Sequence, residues 1–152
     1  MIYLQLEDEI ISKYPHIQPE QLILAAETAL KYQEMTSSTA LTLVICENDA
    51  IQELNCQYRN VNIPTDVLSF PSQEQDPDTG ELYLGDVIIS IEYALTNLDG
   101  HRTTIESELI LLVVHGTLHL LGYDHSDEKE KEKMWATQTD ILMQLGIDII
   151  VQ

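Results

Sequence analysis

The sequence predicts an α/β (α+β) fold: one domain over residues 1–152, with a mixed sheet of about four strands and a buried central helix that carries a metal site. Three observations predict it. Short β-branched or alternating apolar runs near residues 2–7, 39–47, 65–70 and 84–90 are interleaved with segments of helical period. Residues 109–114 are apolar nearly all round, so the helix containing them is expected in the core. Three of the five histidines fall within residues 115–125, at its end. A chain of 152 residues, 44% hydrophobic and 22% charged, is long enough to bury one core.

The elements follow in order. Residues 2–7 alternate apolar and polar, as a half-buried strand does. Residues 13–18, with Pro15, read as a turn region. Pro19 suits the first turn of a helix, where its missing N–H has no intrahelical partner anyway. Leu22, Ala25, Ala26, Ala29 and Leu30 form that helix's inner face, and it is expected to end near 35–38. Residues 39–47 read as a second strand. Asn48 is expected to cap a helix from Asp49 to about Tyr58, with Ile51, Leu54 and Cys56 or Tyr58 inward. Residues 59–64 connect to a short third strand at 65–70. Residues 71–82 read as a polar, solvated loop. A fourth strand at 84–90 leads into a helix over 91–98, broken by Asp99-Gly100. Thr103 or Thr104 caps the central helix, which runs to about Leu121. Ser126 or Asp127 caps a last amphipathic helix with Met134, Trp135, Ile141, Leu142 and Leu145 inward, and Gly146 ends it.

The net charge is −19, with seven basic residues, three of which (Lys129, Lys131, Lys133) share one segment. Nucleic-acid binders normally carry a basic patch, so charge alone argues against nucleic acid. No apolar stretch is long enough to span a membrane, and no signal peptide is expected from the first residues. Cys46 and Cys56 sit apart in apolar patterns and read as buried free thiols in a reducing cytoplasm.

His115 and His119 are four residues apart, so a helix places both imidazoles on one face, where they can share a cation. Gly122 can stop the helix, and His125 can return toward the same cation. Three neutral nitrogen ligands with an open position suit a catalytic zinc site; Ni2+ or another divalent transition metal suits them too. Histidines that only pack or cap, and a closed structural zinc with Asp124 as a fourth ligand, remain alternatives. The spacing His-x3-His-x5-His with glycine at the seventh position after the first histidine matches the metzincin protease frame. Those proteases carry a glutamate base directly after the first histidine, and Gly116 stands there. Zinc alone can lower the pKa of water to about 7, which makes the lack of that base tolerable. Arg59, one of two arginines, could clamp a phosphate or carboxylate in bidentate fashion, or form a surface ion pair. Thr65 and Asp66 stand at the entrance of a strand flanked by Pro64 and Pro71, where they could simply be turn chemistry.

Tyr58-Arg59, then residues 64–71 (PTDVLSFP), then 84–90 (LGDVIIS), then 115–125, in that order, resemble the YbeY endoribonuclease family over the whole chain. The resemblance implies a mixed α/β sheet with a metal site on a central helix. It implies a single-strand-specific metallo-endoribonuclease acting in 3′-end maturation of small-subunit (16S) ribosomal RNA and in ribosome quality control. Carried over by motif position, His115, His119 and His125 would hold one Zn2+, and Arg59 would hold or polarise the RNA phosphate. The implied partners are single-stranded and ribosomal RNA, the small ribosomal subunit and its assembly factors, with neither DNA nor a membrane. Asn62 stands where the family usually has Asp. The acidity predicts weak, salt-sensitive RNA binding by the isolated protein. Two other readings stay open: a metallohydrolase of peptides or amides, and a non-catalytic ribosome-assembly factor with a stabilising metal.

Overall fold

A computed structural model describes residues 1–35, 38–98 and 104–147. In chain order the elements are β1 (Ile2–Leu6), α1 (Asp8–Lys13), α2 (Pro19–Tyr32), β2 (Thr39–Cys46), α3 (Asn48–Arg59), β3 (Val67–Gln75), β4 (Leu82–Ser90), α4 (Ile91–Thr96), α5 (Ile105–Leu120) and α6 (Glu128–Gln144). The fold is α+β, with one four-stranded mixed sheet in the order β1-β2-β4-β3. β1, β2 and β4 run parallel, which requires helical crossovers, and β3 is antiparallel to β4.

The strand alternation assigns the two faces. Leu41, Leu43 and Ile45 of β2, with Val87 and Ile89 of β4, enter the main core beside α2, α5 and α6. Leu68 and Ile88 point the other way, onto Ile51 of α3. α5 buries residues on nearly its whole circumference, as its unbroken apolar run predicts. Each fully buried leucine or valine there contributes about 1.5–3 kcal/mol. None of the helices in the described residues is long and apolar enough to cross a membrane.

Several expectations need correction. Half of the polar stretch 71–82 is strand: β3 continues through Pro71 to Gln75, which pairs with Leu82, leaving 76–81 as a tip. Two features allow this. β3 is an edge strand, so Pro71 is tolerated there. The register also breaks between Pro71 and Glu74, where Gln73 takes a φ of 59°. Asp76 Oδ1 accepts the backbone N–H groups of Asp78 and Thr79 and closes the tip. Asn48 lies inside α3 and does not cap it; Glu47 is the N-cap residue, with no side-chain cap bond. Cys56 and Tyr58 are exposed, and Asn55 is the buried partner of Ile51. Asn55 Nδ2 donates to the Ile63 carbonyl at 2.9 Å, tying residues 60–63 to α3. Cys46 is half-buried, and burial pushes its thiol up to about 11. Both cysteines are free. α1 was not anticipated; six residues are too few to display a period. Thr104 and Asp127 do cap α5 and α6, each accepting a backbone N–H of the first turn. Thr103, Asp99 and Gly100 lie outside the described residues.

Gly116 sets how closely α5 approaches the sheet. A Cβ there would collide with Val87 Cγ1 and come within 3.2 Å of Ser69 Oγ and 3.3 Å of Val67 Cγ2. Ser69 Oγ also donates to the Gly116 carbonyl at 2.9 Å. Gly116→Ala is therefore expected to overpack the junction and destabilise the protein by about 1–3 kcal/mol. Thermal melts of the metal-free protein check this; an unchanged melting temperature would mean that the helix has room to give.

Candidate metal centre

The end of α5 builds the centre. Leu121 caps the helix, Gly122 takes a φ of 101°, the Gly122 N–H returns to the His119 carbonyl (3.1 Å), and the Tyr123 N–H returns to that of Leu118 (3.0 Å). This is a Schellman stop, which needs a left-handed residue that glycine adopts without steric cost. It turns the chain back so that the Tyr123 carbonyl lies 2.9 Å from His119 Nδ1. His125 follows, with its backbone N–H held by Asp124 Oδ1 at 2.7 Å.

The three histidines meet as the spacing predicts. His115, His119 and His125 each offer one ligand atom, and these atoms lie within 4.8 Å of one another. The ring centroids stand 4.7, 5.1 and 6.1 Å apart. Asp124 is not in this group, so the closed site with Asp124 as fourth ligand finds no support among the described residues.

The hydrogen-bond partners of the rings argue for a cation. A carbonyl only accepts, so His119 Nδ1 carries its proton and donates to Tyr123. His115 Nδ1 lies 3.0 Å from Gln138 Oε1, another acceptor, and donates likewise. Both Nε2 atoms are then left with lone pairs, and they face each other at 3.1 Å. Two lone pairs so placed repel unless a positive charge lies between them. Two imidazole nitrogens bound at about 2.0–2.1 Å to one tetrahedral ion stand roughly 3.3 Å apart, close to what is found here. The donor set therefore fits a divalent transition metal, and three neutral imidazoles do not distinguish zinc from nickel, cobalt or iron.

Burial is the main cause that lowers the pKa of His115, opposed by the Gln138 hydrogen bond and the Asp66 carboxylate. His119 is lowered first by burial, then by the charge of His115. Both rings are thus held neutral, the form that binds metal. Asp66 is placed by Asn97, whose Nδ2 donates to Asp66 Oδ2 (3.3 Å) and to Glu108 Oε1 (3.2 Å). The Ser90 N–H donates to the Asp66 carbonyl at 2.9 Å.

Arg59 is not in hydrogen-bond contact with the histidines. It closes the last turn of α3 and is exposed, and no ion pair holds it among the described residues, where Lys13–Glu47 is the pair formed. The next residue back, Tyr58, packs on Phe70 of β3 (centroids 5.2 Å). Phe70 adjoins Ser69, which bonds Gly116 beside His115. Arg59 is thus connected to the histidines through two packed elements, with its guanidinium open to solvent.

Two contributors escaped the sequence reading. Gln138 lies on the buried stripe of α6 with Met134, Ile141 and Leu142. A polar residue on an apolar stripe was the signal, because buried amides need partners. Ser69 reads only as an alternating strand residue, and its bond to Gly116 follows from tertiary packing.

The family model for endoribonuclease YbeY matches residues 8–146. The endoribonuclease YbeY of Heliobacterium modesticaldum is 35% identical, with 96% of each chain covered. That of Desulfitobacterium hafniense is 42% identical over 82% of each. The solution structure of TM1509 from Thermotoga maritima superposes with a TM-score of 0.63 at 27% identity, covering 95% of this chain and 89% of that one. With the histidine group on the helix where the sequence resemblance implied it, the chain belongs to the endoribonuclease YbeY family.

Proposed function

We propose that this protein is a zinc-dependent, single-strand-specific endoribonuclease of the cytoplasm, acting as one domain over residues 1–152. Its substrate would be ribosomal RNA, in 3′-end maturation of the 16S RNA and in ribosome quality control. The small subunit and its assembly factors would be its partners. The observation that carries this reading is the pair of Nε2 atoms that face each other at 3.1 Å, in a chain of an endoribonuclease family.

His115, His119 and His125 would hold one ion, with Ni2+ or another divalent transition metal as an alternative to Zn2+. Bound there, the ion supplies Lewis acidity toward phosphoryl oxygen and lowers the pKa of water. The protein's own groups do the rest. Tyr123 and Gln138 fix the rings of His119 and His115. The solvent-open Arg59 guanidinium would bind a phosphate in bidentate fashion and stabilise charge that grows on its oxygens. The position after His115 supplies no base: Gly116 abuts β3 and β4, so the standard zinc-protease mechanism has no support here. The attacking group is read from the products, since water leaves a 5′-phosphate end and a neighbouring 2′-OH leaves a 2′,3′-cyclic phosphate.

His119→Ala, or chelation, is expected to remove bound metal and abolish cleavage of single-stranded RNA; metal analysis beside a cleavage assay checks both. Retained processing without metal would leave the ion a purely structural role. Arg59→Ala is expected to lower kcat about 10²–10³-fold. Its melting temperature should stay unchanged, because the side chain is exposed. Equal cutting by this variant would remove Arg59 from the mechanism.

A pH dependence follows from the buried rings. The folded pKa values of His115 and His119 lie below the ordinary 6.5, so the unfolded chain binds more protons under that pH. This stability is present above about 6.5 and is lost as pH falls. In metal-free protein, His115→Leu should therefore gain stability relative to wild type between about pH 7.5 and 5.5, as read by denaturant unfolding. A pH-independent difference would mean that the ring is not buried in neutral form.

A further inference from the structure

We propose that Gln138 is a positioning residue of the metal centre, and that its being an amide rather than a carboxylate sets the charge balance there. The inference rests on the three-histidine reading and extends it to a residue 23 positions away, on another helix.

The geometry is specific. Gln138 is 5% exposed. Met134, one turn before it, and Ile141 and Leu142, one turn after, anchor the same face of α6 in the core. Its side chain is therefore confined, and its Oε1 stands 3.0 Å from His115 Nδ1. An oxygen there requires the proton on Nδ1, which turns the Nε2 lone pair toward His119 and His125. For His119 a backbone carbonyl does the same work, and no side-chain substitution can remove it. For His115 the acceptor is a side chain, so α6 contributes an element of the site that can vary.

The choice of amide has a consequence. Neutral acceptors behind two of the imidazoles put no anion in direct hydrogen-bond contact with those rings, and the nearby carboxylates of Asp66 and Asp124 act on them only through space. A carboxylate at 138 would draw the Nδ1 proton toward itself and make His115 a stronger donor. The ion would be held more tightly, and less of its charge would act on a phosphate. Gln138 thus trades affinity for Lewis acidity.

The test measures metal affinity directly, by competition between zinc and a chromogenic chelator. The visible spectrum of the cobalt-substituted protein serves as a second readout. Gln138→Leu is expected to weaken zinc binding about 10–100-fold. Gln138→Glu, nearly isosteric, should bind zinc at least as tightly as wild type, shift the cobalt spectrum and cleave RNA more slowly. If Gln138→Leu does not fold, the Gln138→Glu arm decides alone. Wild-type affinity and spectrum in every folded Gln138 variant would overturn the proposal and leave the residue a packing role. His119→Ala separates the two levels. If it weakens zinc binding while the Gln138 variants do not, this inference alone falls. If it binds zinc as wild type does, the three-histidine reading falls and this inference with it.

Discussion

The seating of α5 against β3 and β4 is the contact on which the rest depends. Gly116 lets the helix backbone come down onto Val67, Ser69 and Val87, and Ser69 Oγ locks the junction by donating to the Gly116 carbonyl. Four residues along, Gln73 Nε2 reaches the Leu120 carbonyl at 3.2 Å, satisfying one of the acceptors that a helix end leaves open. His115 and His119 protrude from a helix whose height and rotation are set by the edge strand. Precision of this kind cannot come from the apolar run alone, because a helix that is greasy all round has no preferred rotation. The glycine and the hydroxyl supply the preference.

Charge follows from that seating. The protein is strongly acidic, yet the rings that face one another are neutral nitrogen donors, kept so by burial. Asp66 opposes the shift on His115 but is restrained, because Asn97 shares its amide hydrogens between Asp66 and Glu108. With a net charge of −19 the protein's field as a whole repels polyanions, and the exposed Arg59 is a local exception to it. In such a protein long-range steering toward RNA is weak, and recognition falls to short-range contacts.

What was legible in the sequence divides along a physical line. The helical spacing of His115 and His119, the glycine stop and the caps at Thr104 and Asp127 are local and were readable. β2 and β4 were readable too, since buried parallel strands show as apolar runs. The continuation of β3 was hidden, because an edge strand can be built of Pro, Ser, Gln and Glu when its partner supplies the order. The inward face of α3 was misjudged because Asn55 is buried by the bond it makes to Ile63, which no periodicity reveals. Gln138 was missed for the same reason: its value lies in a partner 23 residues away.

The Schellman turn after α5 has one more consequence, for where this chain can change length. The same few residues end the helix, orient the His119 ring through the Tyr123 carbonyl and return His125 to the group. An insertion or deletion between 119 and 125 would change all three at once, so no compensating shift is available. The exposed tip at 76–81, closed by its own Asp76, carries no such coupling. Added length at that hairpin tip would leave the helix stop and the histidine group untouched, while the six-residue interval at the metal centre is fixed by its own hydrogen bonds.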